Sequence, residues 1–202
     1  MLTVGVVGAG TMGSGIAQVA IAAGENVKLF DPFPETIERG RSMIDENLNF
    51  LVSKGKLTAE ESTQTLARLE VVDSIEDLVG CDLVIEAIIE NESIKKELFR
   101  NLETIISSDA ILATNTSSIS ITALSNELNH PERLVGMHFF NPAPRMKLVE
   151  VIRGLRTSEK SIDEIVELSK RWGKAPVTAN STPGFIVNRV ARPFYGEALR
   201  VL

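Results

Sequence analysis

The pattern of apolar and polar positions changes abruptly near the start of the chain. Residues 4–7, Val-Gly-Val-Val, are a short apolar run that stops at Gly8-Ala9-Gly10-Thr11-Met12-Gly13. A stretch rich in Ala, Ile and Val follows, long enough for a helix, and Asn26–Phe30 is apolar again and leads to Asp31. Strand, glycine turn, helix, strand and acid is the order of a dinucleotide-binding βαβ unit. The alternation continues. Helices are predicted over 34–53 and 58–68, the second opened by Thr58 as cap with Glu61 three residues later. Strands are predicted over 70–72, 82–88 and 111–114, with helices over 91–107 and 120–128. Two further strands, 134–140 and 147–151, flank the turn Asn141-Pro142-Ala143-Pro144. A helix over 161–172 and a strand over 176–179 come next, and Thr182-Pro183 is read as the cap and first turn of a last helix.

Alternating strands and helices predict an α/β fold, a doubly wound Rossmann-type sheet that is mostly parallel and carries a C-terminal antiparallel hairpin. In such sheets ligands bind beyond the carboxyl ends of the strands. That places chemistry at Gly8–Gly13, Asp31, Glu90, Asn115–Ser118 and His138–Pro142. Gly8 permits the tight turn, Gly10 lets backbone approach a pyrophosphate, and Gly13 lets helix and strand pack closely. Thr11 and Met12 bring the free N–H groups and positive dipole end of the helix to the phosphates. Asp31, 18 residues after Gly13, is placed to accept the ribose hydroxyls of an adenosine. It also predicts NAD over NADP.

Residues 4–24 carry no charge, which also suits a membrane span, but six of those 21 residues are glycine. Gly8 and Gly10 would break a spanning helix, so a buried strand and a buried helix are expected instead. The fold is expected to begin at Leu2 or Thr3, without a signal or transit peptide. At 202 residues and 44% hydrophobic content the chain is one domain, or one with an appendage. The single cysteine, Cys81, rules out an internal disulfide or cysteine-rich metal site and reads as a buried small residue; no metal is expected. A cytoplasmic protein is expected. The net charge of −6 argues against nucleic-acid binding, so an anionic ligand must be held by local dipoles and local Lys or Arg.

Of the two histidines, His130 precedes Pro131 in a polar loop and reads as solvated. His138 lies near the end of an apolar strand. The prolines at 142 and 144 allow a turn but no crossover helix, so the flanking strands should form a hairpin. The midpoint of 138 and 150 is 144, inside that turn, and their even separation puts both side chains on one face. Glu150 beside His138 would fix the imidazole tautomer and favour its charged form, as a general base requires.

Behind the glycine turn stand NTSS at 115–118, HFFNP at 138–142, KLVEV at 147–151 and PGFIVNR at 183–189. In that order the motifs resemble the 3-hydroxyacyl-CoA dehydrogenase family, most closely its short-chain 3-hydroxybutyryl-CoA members. The resemblance implies an NAD-dependent oxidoreductase of fatty-acid metabolism acting on acyl-CoA, with His138 and Glu150 as the catalytic pair and Ser117 and Asn188 as substrate contacts. It places Glu90, Lys95, Ser117 and Asn141 beside the cofactor and a CoA-contacting lysine at Lys54, with Lys56 near it. Each has a plainer alternative: a helix cap for Ser117 and, preferably, for Ser118; an exposed helix residue for Asn188; a solvated lysine for Lys95; and helix-end cations for Lys54 and Lys56. The resemblance further implies that residues 1–182 are the NAD domain and 183–202 the first helix of an all-helical domain that carries a homodimer interface. Ile186, Val190, Phe194, Ala198 and Leu202 recur every four residues on that helix. This apolar stripe is expected either to pack on the nucleotide domain or to drive association, and Pro193 to bend the helix without ending it. Two other readings remain: a dehydrogenase of free hydroxyacids, and a nucleotide-binding structural or regulatory protein on the same scaffold.

Overall fold

The computed structural model describes residues 1–201. Its strands are β1 (Thr3–Val7), β2 (Asn26–Phe30), β3 (Leu69–Val71), β4 (Leu83–Glu86), β5 (Ile111–Thr114), β6 (Leu134–Phe139), β7 (Leu148–Arg153) and β8 (Ala175–Asn180). They form one eight-stranded sheet in the order β3-β2-β1-β4-β5-β6-β7-β8. From β3 to β6 every neighbour is parallel, whereas β7 runs antiparallel to β6 and β8 parallel to β7. The helices are α1 (Thr11–Ala22), α2 (Pro34–Ser53), α3 (Ala59–Leu66), α4 (Glu92–Ile105), α5 (Ile121–Ser125), α6 (Glu159–Arg171) and α7 (Val187–Arg200).

Strand alternation sorts the core into two layers. Val4, Val6, Leu83 and Ile85 face the side covered by α1, α2 and α6, with Ile16, Leu48, Ile162 and Trp172. Val7, Val84 and Leu112 face the other side, with Phe99, Leu102 and Leu124 of α4 and α5. Strand order reverses at β1, which lies between β2 and β4, so the crevice of a doubly wound sheet opens above the glycine turn. No helix among the described residues is long and apolar enough to cross a membrane. Cys81 is buried, and that burial pushes its thiol up to about 11.

Local chemistry sets most of the boundaries. Thr58 and Glu61 form the expected reciprocal cap at the start of α3. Ser158 and Asn91 cap α6 and α4. Two of the expected caps are not made. Ser118 caps nothing; Ser120 caps α5 by accepting from the Ala123 amide. Thr182-Pro183 does not open the last helix. Gly184 at φ 77° and Phe185 at φ 48° take left-handed backbone, which cannot continue into a right-handed helix, so α7 starts only at Val187.

The stripe on α7 is not packed on the sheet. No residue of α7 is buried, and Val190 and Phe194 of the stripe are 65% and 71% exposed. The helix does run through Pro193. Leu202, the last position of the expected stripe, lies outside the described residues.

Candidate active site

The glycine turn has the shape an anionic ligand needs. Gly8 sits at φ 101°, and a Cβ there would come within 2.6 Å of the Ala87 carbonyl oxygen. A Cβ on Gly13 would lie 1.7 Å from the Gly8 carbonyl oxygen, so helix and strand can pack this closely only without one. Gly10 instead faces open space. The first turn of α1 has neither a side-chain cap nor an acidic residue, unlike α3, α4 and α6, which have both. Its orphan amides, at Thr11, Met12 and Gly13, are therefore available to a phosphate. Asp31 follows β2, and its two oxygens accept from the amides of Ala9 at 2.8 Å and Phe33 at 3.0 Å. The carboxylate thus holds the turn in place while keeping lone pairs for a ribose. These residues fit the pyrophosphate and adenosine of a dinucleotide.

His138 and Glu150 are directly opposed in the β6–β7 register. The imidazole Nδ1 stands 2.7 Å from Glu150 Oε2, with both side chains almost wholly buried. The carboxylate accepts, so Nδ1 carries the proton and Nε2 keeps its lone pair for chemistry. Phe140 and Phe185 flank the ring at 4.6 and 6.0 Å between centroids. The other Glu150 oxygen, Oε1, accepts from the amides of Ile186 and Val187, both at 2.9 Å. These are the first donors of α7, so the carboxylate also serves as that helix's cap. Asn188 in turn donates from Nδ2 to the Ser117 carbonyl at 3.2 Å, joining α7 to the loop after β5. Asn115 accepts from the Phe139 amide at 2.9 Å and ties that loop to β6.

The loop after β5 is held by Glu90. Glu90 Oε1 accepts from the Ser117 amide at 3.0 Å, from Ser118 Oγ at 3.2 Å and from Thr116 Oγ1. Ser117 Oγ stands 3.5 Å from the same oxygen. Burial alone would raise the Glu90 carboxyl, but these donors and the Lys95 charge outweigh it and hold the group below its ordinary value. Lys95 is no solvated lysine: it is 1% exposed and pairs with both Glu90, at 3.2 Å, and Glu86. Glu86, the last residue of β4, is fully buried and was not among the residues singled out from the sequence. A signal for both existed. Glu86 interrupts the apolar run 83–89, and Lys95 is in helical phase with Phe99, Leu102 and Ile106.

A cleft of about 430 Å³ gathers Met12, Glu90, Lys95, Ser117, His138, Asn141 and Asn188. The structure thus brings the predicted catalytic and nicotinamide-side residues together. The Asn141-Pro142 bond at its rim is cis. A second cavity of about 290 Å³ adjoins it through Asn141 and is lined by Thr11, Asn47 and Arg145. Lys54 lies apart from both, at the end of α2, with its amine 5.4 Å from the centre of the Phe50 ring. Lys56 is exposed in the turn beyond that helix. A larger cavity, about 620 Å³, sits at the opposite ends of the strands, by Leu2, Asp82 and Ile111 at the starts of β1, β4 and β5, away from this chemistry. His130 is half exposed, as expected of a solvated residue.

Comparison with known proteins decides the family. The profile described as 3-hydroxyacyl-CoA dehydrogenase, NAD binding domain, matches residues 3–182. The chain belongs to the 3-hydroxyacyl-CoA dehydrogenase family. It contains that family's NAD-binding domain. It is 52% identical over 200 residues to the 3-hydroxyadipyl-CoA dehydrogenase of Escherichia coli K12, covering 99% of this chain and 42% of that protein. It is 43% identical to the 3-hydroxybutyryl-CoA dehydrogenase of Clostridioides difficile, covering 97% of this chain and 70% of the relative. Among solved structures, (S)-3-hydroxybutyryl-CoA dehydrogenase from Ralstonia eutropha superimposes with a TM-score of 0.95 at 43% identity, over 98% of this chain and 70% of that one. The chain therefore spans between about two fifths and about seven tenths of these relatives.

Proposed function

We propose that the protein carrying this chain is an NAD-dependent 3-hydroxyacyl-CoA dehydrogenase, interconverting a 3-hydroxyacyl thioester and its 3-keto form. The observation that carries this reading is the His138–Glu150 pair, buried, opposed in register and set in the same cleft as Ser117 and Asn188. When bound, NAD supplies the acceptor for the hydride that leaves C3. His138 Nε2 takes the hydroxyl proton of the substrate as the C3 carbonyl forms, and Glu150 stabilises the imidazolium that results. In the reverse direction His138 returns that proton to the carbonyl oxygen. Ser117 and Asn188 orient the substrate oxygens. Glu90 and Lys95 line the nicotinamide side.

The anionic nucleotide of CoA needs cations in a chain of net charge −6, and Lys54, with Lys56 beside it, is assigned to it. The names of the relatives support a 3-hydroxybutyryl- or 3-hydroxyadipyl-CoA substrate. The reading includes a cytoplasmic enzyme acting as a homodimer, assembled through a helical domain that begins at residue 183.

The deciding experiment compares acetoacetyl-CoA with free acetoacetate as oxidants of NADH, using the longest natural form of the protein. Reduction of the thioester is expected, with little of the free acid. Preference for the free acid would favour a hydroxyacid dehydrogenase. NAD binding without turnover of either would favour a regulatory nucleotide-binding protein.

A further inference from the structure

Glu86 is a buried carboxylate that the proposed chemistry does not use. It is fully buried and lines neither the cleft nor the adjoining cavity. Yet both of its oxygens are engaged. Oε2 accepts from Thr114 Oγ1 at 2.6 Å, and Oε1 accepts from the Ile88 amide at 2.7 Å and from Lys95 Nζ. A fully engaged buried charge has a strong geometric hold on its partners.

Two routes lead outward from this carboxylate, and they meet in the same turn. One runs through Thr114, whose Oγ1 accepts from the Thr116 amide at 3.2 Å. The other runs through Lys95 to Glu90, which takes Thr116 Oγ1 and the Ser117 amide. Thr116 Oγ1 then accepts from the amides of Ser118 at 3.3 Å and Ile119 at 2.9 Å. Every amide from Thr116 to Ile119 is therefore bonded to a side chain within a network rooted at Glu86. No strand ladder holds these residues, because β5 ends at Thr114.

We propose that Glu86 is a positioning residue: with Lys95 it forms a buried charged strut that fixes the 116–119 turn and so sets the place of Ser117 at the cleft. Burial pushes the Glu86 carboxyl up, and the Lys95 charge with the bonds from Lys95, Thr114 and the Ile88 amide works against that shift. The importance of Ser117 itself rests on the proposed dehydrogenase function.

The test is hydrogen exchange by mass spectrometry on this chain, comparing the peptide over 115–119 with peptides from β1 and β2. Glu86→Gln leaves one acceptor oxygen where two served three donors. Loss of a charge-assisted bond should make the turn exchange at least about tenfold faster while β1 and β2 stay unchanged. The double variant Glu86→Gln, Lys95→Met removes the buried ammonium that the single variant leaves with Glu90 alone, and guards against a single variant that fails to fold. It should keep the fast turn, because the route to Glu90 is gone. Unchanged exchange at 115–119 in either variant, or equal acceleration everywhere, would overturn the strut. In the longest natural form, Glu86→Gln should lower kcat/KM for acetoacetyl-CoA. A fast turn combined with full kcat/KM would leave the strut standing and remove Ser117 from the proposed mechanism.

Discussion

Glu150 holds His138 by one carboxylate oxygen and the first amides of α7 by the other. The imidazole is therefore fixed in one tautomer by a group that is itself fixed from the far side. His138→Ala should keep NAD binding and lose at least about 100-fold in turnover, the worth of a positioned acid–base group. Glu150→Gln should be nearly as damaging. A Gln amide turned toward Nδ1 donates where the carboxylate accepted, which moves the imidazole proton to Nε2 and removes the base. Steady-state kinetics on the longest natural form checks both; near-normal turnover in His138→Ala refutes the mechanism.

Asp31 should make the chain prefer NAD to NADP by at least about tenfold, since a 2′-phosphate would meet a carboxylate and neither Pro32 nor Phe33 offers a cation. Arg41 of α2 lines the cavity beside Asp31. Asp31→Asn should therefore narrow the preference, with that guanidinium no longer opposed. Calorimetric titration of both cofactors decides; tighter binding of NADP by the unaltered chain would count against the assignment.

Two glycines three residues apart should respond in opposite ways. Gly13→Ala forces a methyl to 1.7 Å from a backbone oxygen, so it should destabilise by about 3 kcal/mol or more. Gly10→Ala meets nothing within 4 Å and its φ of −66° suits alanine, so its stability should stay within about 0.5 kcal/mol. It should still weaken NAD, by filling the space a pyrophosphate needs. Urea melts and cofactor titrations separate the two effects; equal stability of both variants would contradict the close helix–strand packing at Gly13.

The apolar face of α7 should drive association in the 202-residue chain. Val190 and Phe194 are neighbours on that face and largely exposed. Sedimentation should show self-association that Val190→Glu with Phe194→Ser abolishes. NAD binding should survive both changes, whereas acetoacetyl-CoA reduction by this chain should be far weaker than by a longer form. Full activity from a strictly monomeric 202-residue chain would show that the face needs no partner.

The pairing of His138 with Glu150 was legible because hairpin register depends on turn position: the prolines marked the turn, and arithmetic about residue 144 placed 138 opposite 150. The glycine turn and the Thr58 cap were legible because each is local. Glu86 and Lys95 were harder, since a buried ion pair joins two elements whose contact no local pattern announces. Reading Lys95 by its phase with Phe99 would have placed it inside. The start of α7 misled for a different reason. Thr182-Pro183 looks like a helix opening, but left-handed backbone at Phe185 delays the helix, and only buried surroundings hold a non-glycine residue in that conformation.

The three hydrogen bonds at Glu150 bear on where this polypeptide can be divided. The family profile ends at residue 182, four residues short of the amides that complete the carboxylate's shell. A fragment severed at that boundary would keep its sheet and its glycine turn, yet would leave Glu150 with His138 as its sole donor. The edge of the profile and the edge of this hydrogen-bonded unit therefore differ, and a chimaera joined after residue 188 rather than after 182 would keep all three donors of Glu150 with the sheet.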